Sequence, residues 1–305
     1  MKQEIFVKYL PILKKHYPDC KEEEIKFFDD GHDHYVLVVN GTNAFRFPRT
    51  DVHGKQDHVI NVFSHEFAPI SPVPMQKMTG LVDSETGIRY QRYEFITGVQ
   101  LSKEMAATLT EEELVTIATD MGKFLSSLHS FSVDEAGSMD MESLKNPKDY
   151  GEYFKDFLEK DRKAFFSMLS KKEQESIEQS VEKFYKLTKD HPFVFTVTHS
   201  DMLPEHILID PKTHKLNGII DFSLRIADPA NDFKYFDRYG EAFLKTVYEN
   251  YLQVDAYFDE RRRFYAGGLP TANLYQSIER QDEKTIQEKY LKELKDYIAS
   301  DIISS

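Results

Sequence analysis

The stretch THSDMLPEHILID, residues 198–210, places His199, Asp201, Glu205, His206 and Asp210 in one short segment between apolar runs. The run before it, FVFTVT, and the run after it, LNGIIDF, are short and rich in β-branched residues, so both are predicted strands. The segment is therefore a polar loop held between strands. Asp201 follows the first strand, His206 comes five positions later, and Asp221 ends the next strand pair. Two carboxylates and an imidazole on loops after paired strands have their separations fixed by the strands.

Composition bounds what such a loop can serve. The chain has 305 residues, long enough for two lobes around large cores. Its net charge of −13 repels nucleic acid and anionic membranes and favours cationic ligands. No apolar run approaches the roughly 20 residues that span a bilayer. The N-terminal MKQEIFVKYL is too polar for a secretory signal, so a cytoplasmic location is expected. Cys20 is the single cysteine, which excludes an intramolecular disulfide and a cysteine-based zinc cluster.

Working outward, the chain changes character near residue 97. Residues 4–17 show apolar groups at helical spacing, with Pro11 expected to break the helix. HYVLVV and AFRF read as strands joined by VNGTN, whose Asn-Gly centre is a hairpin signal. A helix over 55–67 and a strand in IRYQRYEFI complete a small, mostly antiparallel unit over residues 1–96. Helices dominate residues 97–305. One opens with Thr110 and, three residues on, Glu113, a capping box, and carries the stripe Leu114, Ile117, Ala118, Met121, Leu125 and Leu128. Residues 150–190, 239–254 and 281–302 also read as helical. The expected fold class is α+β, with a small antiparallel-sheet lobe and a larger, mainly helical one.

Phosphoryl transfer needs the parts gathered around the quoted loop. A carboxylate orients the acceptor hydroxyl and takes its proton, and two further groups hold Mg²⁺ against the nucleotide's phosphates. The order of residues resembles the protein-kinase catalytic loop: His-x-Asp, a metal ligand five positions on, then Asp-Phe. HSDMLPEHILID, GIIDFS and DPANDF together are similar to the aminoglycoside phosphotransferases, a kinase-like family, and most of all to its 2''-phosphotransferase branch. The macrolide phosphotransferases share HILID and are near relatives. The resemblance is strong over 193–236 and rests on element order elsewhere.

The resemblance implies a protein-kinase-like bilobal fold, with 1–96 as the nucleotide-binding lobe and 97–305 as the catalytic and substrate-binding lobe. It implies Asp201 as the base, His206 and Asp221 as magnesium ligands, and His199 as support for the loop. Asp228 and Asp232 are expected to brace the site through the backbone. Arg46, in NAFRFPRT, falls where the family's phosphate-holding lysine stands. Asp57 and Glu66 are the candidates for its helix partner, with neither singled out. Gly31 marks a sparse nucleotide-covering loop. The segment around Tyr93, Glu94 and Ile96 would meet the purine, and a tyrosine there goes with GTP in the resembling branch, so ATP and GTP both stand as donors.

On the acceptor side, polycationic substrates call for carboxylates. Asp201, Asp237, Glu241 and Glu249 are the expected contacts, while the basic DERRRFY, residues 259–265, would repel a polycation if it faced the cleft. A macrolide would instead want aromatic walls, for which Tyr235, Phe236, Tyr239, Phe243 and Tyr251 are candidates. A kinase for another hydroxyl metabolite, or a kinase-shaped nucleotide-binding protein with impaired catalysis, are the remaining readings. The partner is expected to be a small molecule, with no nucleic acid or membrane, and the chain to be a monomer.

Overall fold

Alternation in residues 34–48 decides the first half of the chain. In the computed structural model, which describes residues 2–29, 33–131, 150–252 and 254–300, helix α1 (Lys2–His16) precedes strands β1 (Ile25–Phe28), β2 (His34–Val39) and β3 (Asn43–Pro48). Helix α2 (Asp51–Phe67) follows, then β4 (Thr79–Val82) and β5 (Arg89–Glu94). The strands form one antiparallel sheet in the order β1-β2-β3-β5-β4. The β2–β3 hairpin turns through Asn40 and Gly41, with φ of 53° and 70°. Glycine enters that left-handed region without steric cost and asparagine tolerates it.

Successive strand residues face opposite sides of the sheet. Leu37 and Val39 pack with Phe45 and Phe47 under Tyr9, Ile12 and Leu13 of α1. Val38 packs on the other side with Ala44, Met78 and Tyr93. Pro11 does not break α1, contrary to expectation, and the helix continues through it. An interior proline costs about 3 kcal/mol. Burying Tyr9, Ile12 and Leu13 gains roughly 1.5–3 kcal/mol each, so the sheet holds the helix together.

The second half begins with β6 (Val99–Gln100), the short α3 (Lys103–Ala106) and α4 (Glu111–His129). Helices α5 (Tyr150–Ala164) and α6 (Lys171–Asp190) precede strands β7 (Thr196–Thr198), β8 (Ile207–Ile209), β9 (Leu216–Ile219) and β10 (Arg225–Ala227). Helices α7 (Glu241–Glu249), α8 (Phe258–Ala266), α9 (Gly268–Glu279) and α10 (Lys284–Ala299) complete the described chain. β10 pairs with β7, and β6, β8 and β9 form a second small sheet. The expected capping box is formed: Glu113 N–H donates to Thr110 Oγ1 at 3.3 Å, and Thr110 N–H donates to Glu113 Oε2 at 2.7 Å. No described helix is long and apolar enough to cross a membrane.

The architecture is α+β, a sheet-rich first part and a helical second part. α2 belongs to both. It lies between sheet strands in the chain, yet Val59, Phe63 and Phe67 join the core built by Ile117, Met121, Phe124, Val197, Ile219 and Phe222. Phe63 meets Phe222 with ring centroids 5.4 Å apart, so the residue after Asp221 is anchored in that core.

Helices α4 and α7 meet at Gly122. A Cβ placed there would lie 2.6 Å from the Val247 carbonyl oxygen and 2.7 Å from Asn250 Cβ. Gly122→Ala is expected to separate the helices and to destabilise the protein by roughly 1–3 kcal/mol, despite alanine's better helix propensity. Thermal unfolding of the variant checks this; an unchanged or raised Tm would show that the contact is soft.

Candidate active site

The loop after β7 is bent into shape by one carboxylate. Asp232 is fully buried and accepts the N–H of His199 on Oδ2 at 2.7 Å and the N–H of Ser200 on Oδ1 at 2.8 Å. His129 Nε2 donates to the same Oδ2 at 3.1 Å, and the Tyr251 hydroxyl donates to His129 Nδ1 at 2.8 Å. Burial alone would raise the pKa of Asp232, but these hydrogen bonds and the His129 ring outweigh it and hold the carboxyl below its usual range. Ser200 sits at φ 65°, a conformation that costs a non-glycine residue about 1–2 kcal/mol. Its carbonyl accepts from Asn231 Nδ2 at 3.3 Å and Lys234 Nζ at 3.2 Å. Burial lowers the Lys234 pKa. Thus DPANDFK grips both the N–H and the carbonyl of Ser200, the residue before Asp201.

The two histidines have different jobs. His199 is buried, and burial pushes its pKa down. Its Nε2 donates to the Ile220 carbonyl at 2.9 Å, while Nδ1 accepts the Asp201 N–H at 3.2 Å. A neutral ring satisfies both bonds. His206 donates from Nδ1 to the Asp201 carbonyl at 2.7 Å. That bond leaves the lone pair on Nε2, which lies 3.5 Å from Asp221 Oδ2. Asp201 Oδ2 is 3.6 Å from His206 Nδ1. Asp221 is itself left-handed, at φ 58°, with its side chain more than half exposed. Asp201, His206 and Asp221 therefore converge on one cleft.

Across the cleft, Arg46 on β3 is held by three groups. Its Nη1 donates to Gln91 Oε1 at 2.7 Å and to Asp57 Oδ1 at 3.2 Å, and Nη2 lies 3.6 Å from Asp221 Oδ1. His34 Nε2 also donates to Asp57 at 3.0 Å. Of the two candidate helix partners, Asp57 is the one that meets Arg46. An arginine paired with an aspartate spans much the same distance as a lysine paired with a glutamate, because the longer cation compensates for the shorter acid.

The cleft encloses about 1780 Å³. Tyr93 and Ile96 line it, and burial pushes the Tyr93 hydroxyl up to about 12. Glu94 is taken into the ladder opposite Asn43 and is not among the lining residues. Gly31 lies outside the described residues.

The acceptor side differs from the sequence reading. Asp237 pairs with Arg262 at 3.2 Å, and Glu249 lies 3.8 Å from Lys245 along α7. Neither these two nor Glu241, in the first turn of α7, lines the cleft. That helix turns its buried face toward α4 rather than toward the loop. Among the described residues, the carboxylates that line the cleft are Asp33, Asp161, Asp201, Glu205, Asp221 and Glu279. Of the aromatic candidates only Tyr235 lines it. Phe236, Phe243 and Tyr251 are core, and the Tyr239 hydroxyl donates to the Leu101 carbonyl at 2.5 Å. Two of the three arginines of the basic DERRRFY face inward. Arg261 is buried against Asp228 at 2.6 Å and forks onto Asp255 at 2.9 and 2.7 Å, while Arg262 bonds Asp259 at 2.8 Å.

Sequence reasoning overlooked His129, Asn231, Lys234 and Gln91. His129 gave one signal, a polar residue on the apolar side of α4; the others became visible only through their distant partners.

Residues 24–265 match the phosphotransferase enzyme family, and the chain belongs to that family. Solved structures share its fold. The GDP and kanamycin complex of APH(2")-IIIa superposes with a TM-score of 0.84 at 18% identity, over 96% of this chain and 99% of the other. The gentamicin complex of APH(2")-IIa gives 0.72 at 20% identity, over 94% and 95%. The macrolide 2'-phosphotransferase MphH from Brachybacterium faecium gives 0.68 at 15%, over 95% and 97%.

Asp161 provides a test of the site's electrostatics. Burial pushes its carboxyl up to about 7. The folded protein therefore binds this proton more tightly than the unfolded chain, and stability falls as pH rises from about 4 through 7. Asp161→Asn is expected to raise Tm at pH 8, by an amount corresponding to on the order of 2 kcal/mol, and to leave it nearly unchanged at pH 4. Equal Tm differences at the two pH values would contradict the assignment.

Proposed function

We propose that the protein transfers the terminal phosphate of a purine nucleoside triphosphate to a hydroxyl of an aminated, aminoglycoside-like small molecule. The observation that carries this reading is the convergence of Asp201, His206 and Asp221, with His206 held by its Nδ1–H so that Nε2 faces Asp221. In this reading residues 1–96 bind the nucleotide and residues 97–305 provide catalysis and the acceptor site. Asp201, two-fifths exposed at the cleft, orients the acceptor hydroxyl and takes its proton as the bond to phosphorus forms. Arg46 is held by Asp57 and Gln91 where a nucleotide's phosphates would lie. Positioning and charge stabilisation supply most of the acceleration.

The donor set fits a divalent cation bound chiefly by phosphate and water. Asp221 offers the oxygen that Mg²⁺ prefers, and His206 offers one nitrogen, an uncommon partner for it. Mg²⁺ bound there would neutralise phosphate charge. Tyr93, buried at the cleft wall, and the GDP found with one structural neighbour make GTP the first donor to test, with ATP beside it. The Arg46–Asp57 pair weighs against an impaired, binding-only protein, because the phosphate anchor has a partner. The core placement of Phe236, Phe243 and Tyr251 weighs against an aromatic macrolide pocket at those positions.

Asp201→Asn is expected to lower kcat by about 10²–10⁴-fold, with the unfolding transition unchanged. Transfer at the wild-type rate would remove Asp201 from the mechanism. Exchanging the anchor gives a second check. Arg46→Lys or Asp57→Glu alone should raise the nucleotide KM, and the two together should recover part of the loss, since paired residues act non-additively. A double variant worse than either single one would mean that the pair does not set the anchor's reach.

A further inference from the structure

The cleft is lined by two polar side chains that have no hydrogen-bond partner among the described residues. Tyr235 is 6% exposed, and its hydroxyl has no hydrogen-bond partner among the described residues. Its ring lies 5.3 Å from the Lys234 ammonium and 4.8 Å from the Arg238 guanidinium. Lys234 is in turn tied to the carbonyl of Ser200, the residue before Asp201. The hydroxyl thus lies in the neighbourhood of the reacting carboxylate. A buried hydroxyl without a partner costs about 1–3 kcal/mol, and phenylalanine would pack the same ring without that cost.

Asp161, on α5, is the second group. It is half-buried and lines the same cleft; its carboxylate makes no hydrogen bond or close ion pair among the described residues, and the Lys160 charge reaches it only from a distance. Phe157, Leu158, Tyr290 and Leu294 line the cleft with it, so the carboxylate is set among largely apolar walls. A half-buried carboxylate with no cation in contact is unfavourable, and a bound cation relieves that cost. In such a setting a charge-assisted hydrogen bond is stronger than on an open surface.

We propose that Tyr235 and Asp161 form the acceptor-recognition pair of this cleft: Tyr235 hydrogen-bonds a hydroxyl beside the reacting one, and Asp161 pairs with an ammonium group elsewhere on the same molecule. The inference rests on the phosphotransfer reading above, and it moves acceptor recognition from α7 to α5 and the residues after Phe233. Both are binding residues, not participants in the chemical step.

The test uses the full chain with GTP and Mg²⁺, kanamycin as the aminated probe, and maltotriose as an amine-free sugar of similar size. Binding is followed by calorimetry and transfer by steady-state kinetics. Asp161→Asn is expected to raise the kanamycin KM about tenfold or more and to narrow the preference over maltotriose. Tyr235→Phe is expected to raise the KM for both sugars by roughly three- to tenfold while its Tm stays level or rises. The KM for GTP should stay within about twofold in each, which a general structural defect would not allow. Kanamycin constants unchanged in both variants overturn the inference and leave the phosphotransfer reading standing. So does a wild-type protein that ignores kanamycin while its GTP turnover still depends on Asp201. GTP consumption that is indifferent to Asp201 sinks the reading itself, and the inference with it.

Discussion

The grip of Asp232 on the peptide N–H groups of His199 and Ser200 is the constraint on which the site depends. Ser200 would not hold φ 65° without help. Two charge-assisted hydrogen bonds, each worth about 1.5–3 kcal/mol, outweigh the 1–2 kcal/mol cost of that conformation. The carboxylate stays ionised in a fully buried place because His129 and the two N–H groups surround it. His129 is fixed by Tyr251, so the loop after β7 is referred back through α4 to the segment that follows α7. The left-handed turn directs Asp201 into the cleft, and the Asp201 carbonyl in turn selects the tautomer of His206. Backbone geometry, tautomer and the direction of the Nε2 lone pair are consecutive links of one chain.

The electrostatic layout shows how an acidic protein handles its cations. Arg261 and Arg262 are drawn inward and given two carboxylates each, and Arg46 is held at the cleft wall by Asp57 and Gln91. Negative groups remain on the cleft surface in excess. Asp228 holds Arg261 and caps the turn Pro229–Phe233 through the Ala230 N–H, so the segment that grips Ser200 is itself pinned from below.

Much of this was legible because the signals were local. The Asn40–Gly41 hairpin, the Thr110–Glu113 cap and the strands around the quoted loop each follow from a few adjacent residues, and each is found. The order His199, Asp201, His206, Asp221 carried the family, since strands on both sides fix the spacing. What failed was long-range. Residues 258–279 hide their helices in the sequence behind three adjacent arginines and a Gly-Gly-Leu-Pro stretch; carboxylate partners for Arg261 and Arg262 let α8 bury them, and α9 follows. Pro11 signals a break by local propensity, which does not include the sheet beneath α1. Position in the chain points Asp237, Glu241 and Glu249 toward substrate, whereas the direction of α7 is set by its packing on α4. Asp57 could not be preferred over Glu66 until the sheet register placed Arg46 opposite Gln91.

The aromatic face of α2 limits how this protein can be controlled. Asp57, which anchors Arg46, rides on a helix whose Phe63 and Phe67 are sunk among Phe124, Phe131 and Phe222. Swinging that helix outward would strip two phenylalanines of their cover, at roughly 1.5–3 kcal/mol apiece. The position of Asp57, and with it the reach of Arg46, is therefore tied to the same apolar core that anchors Phe222.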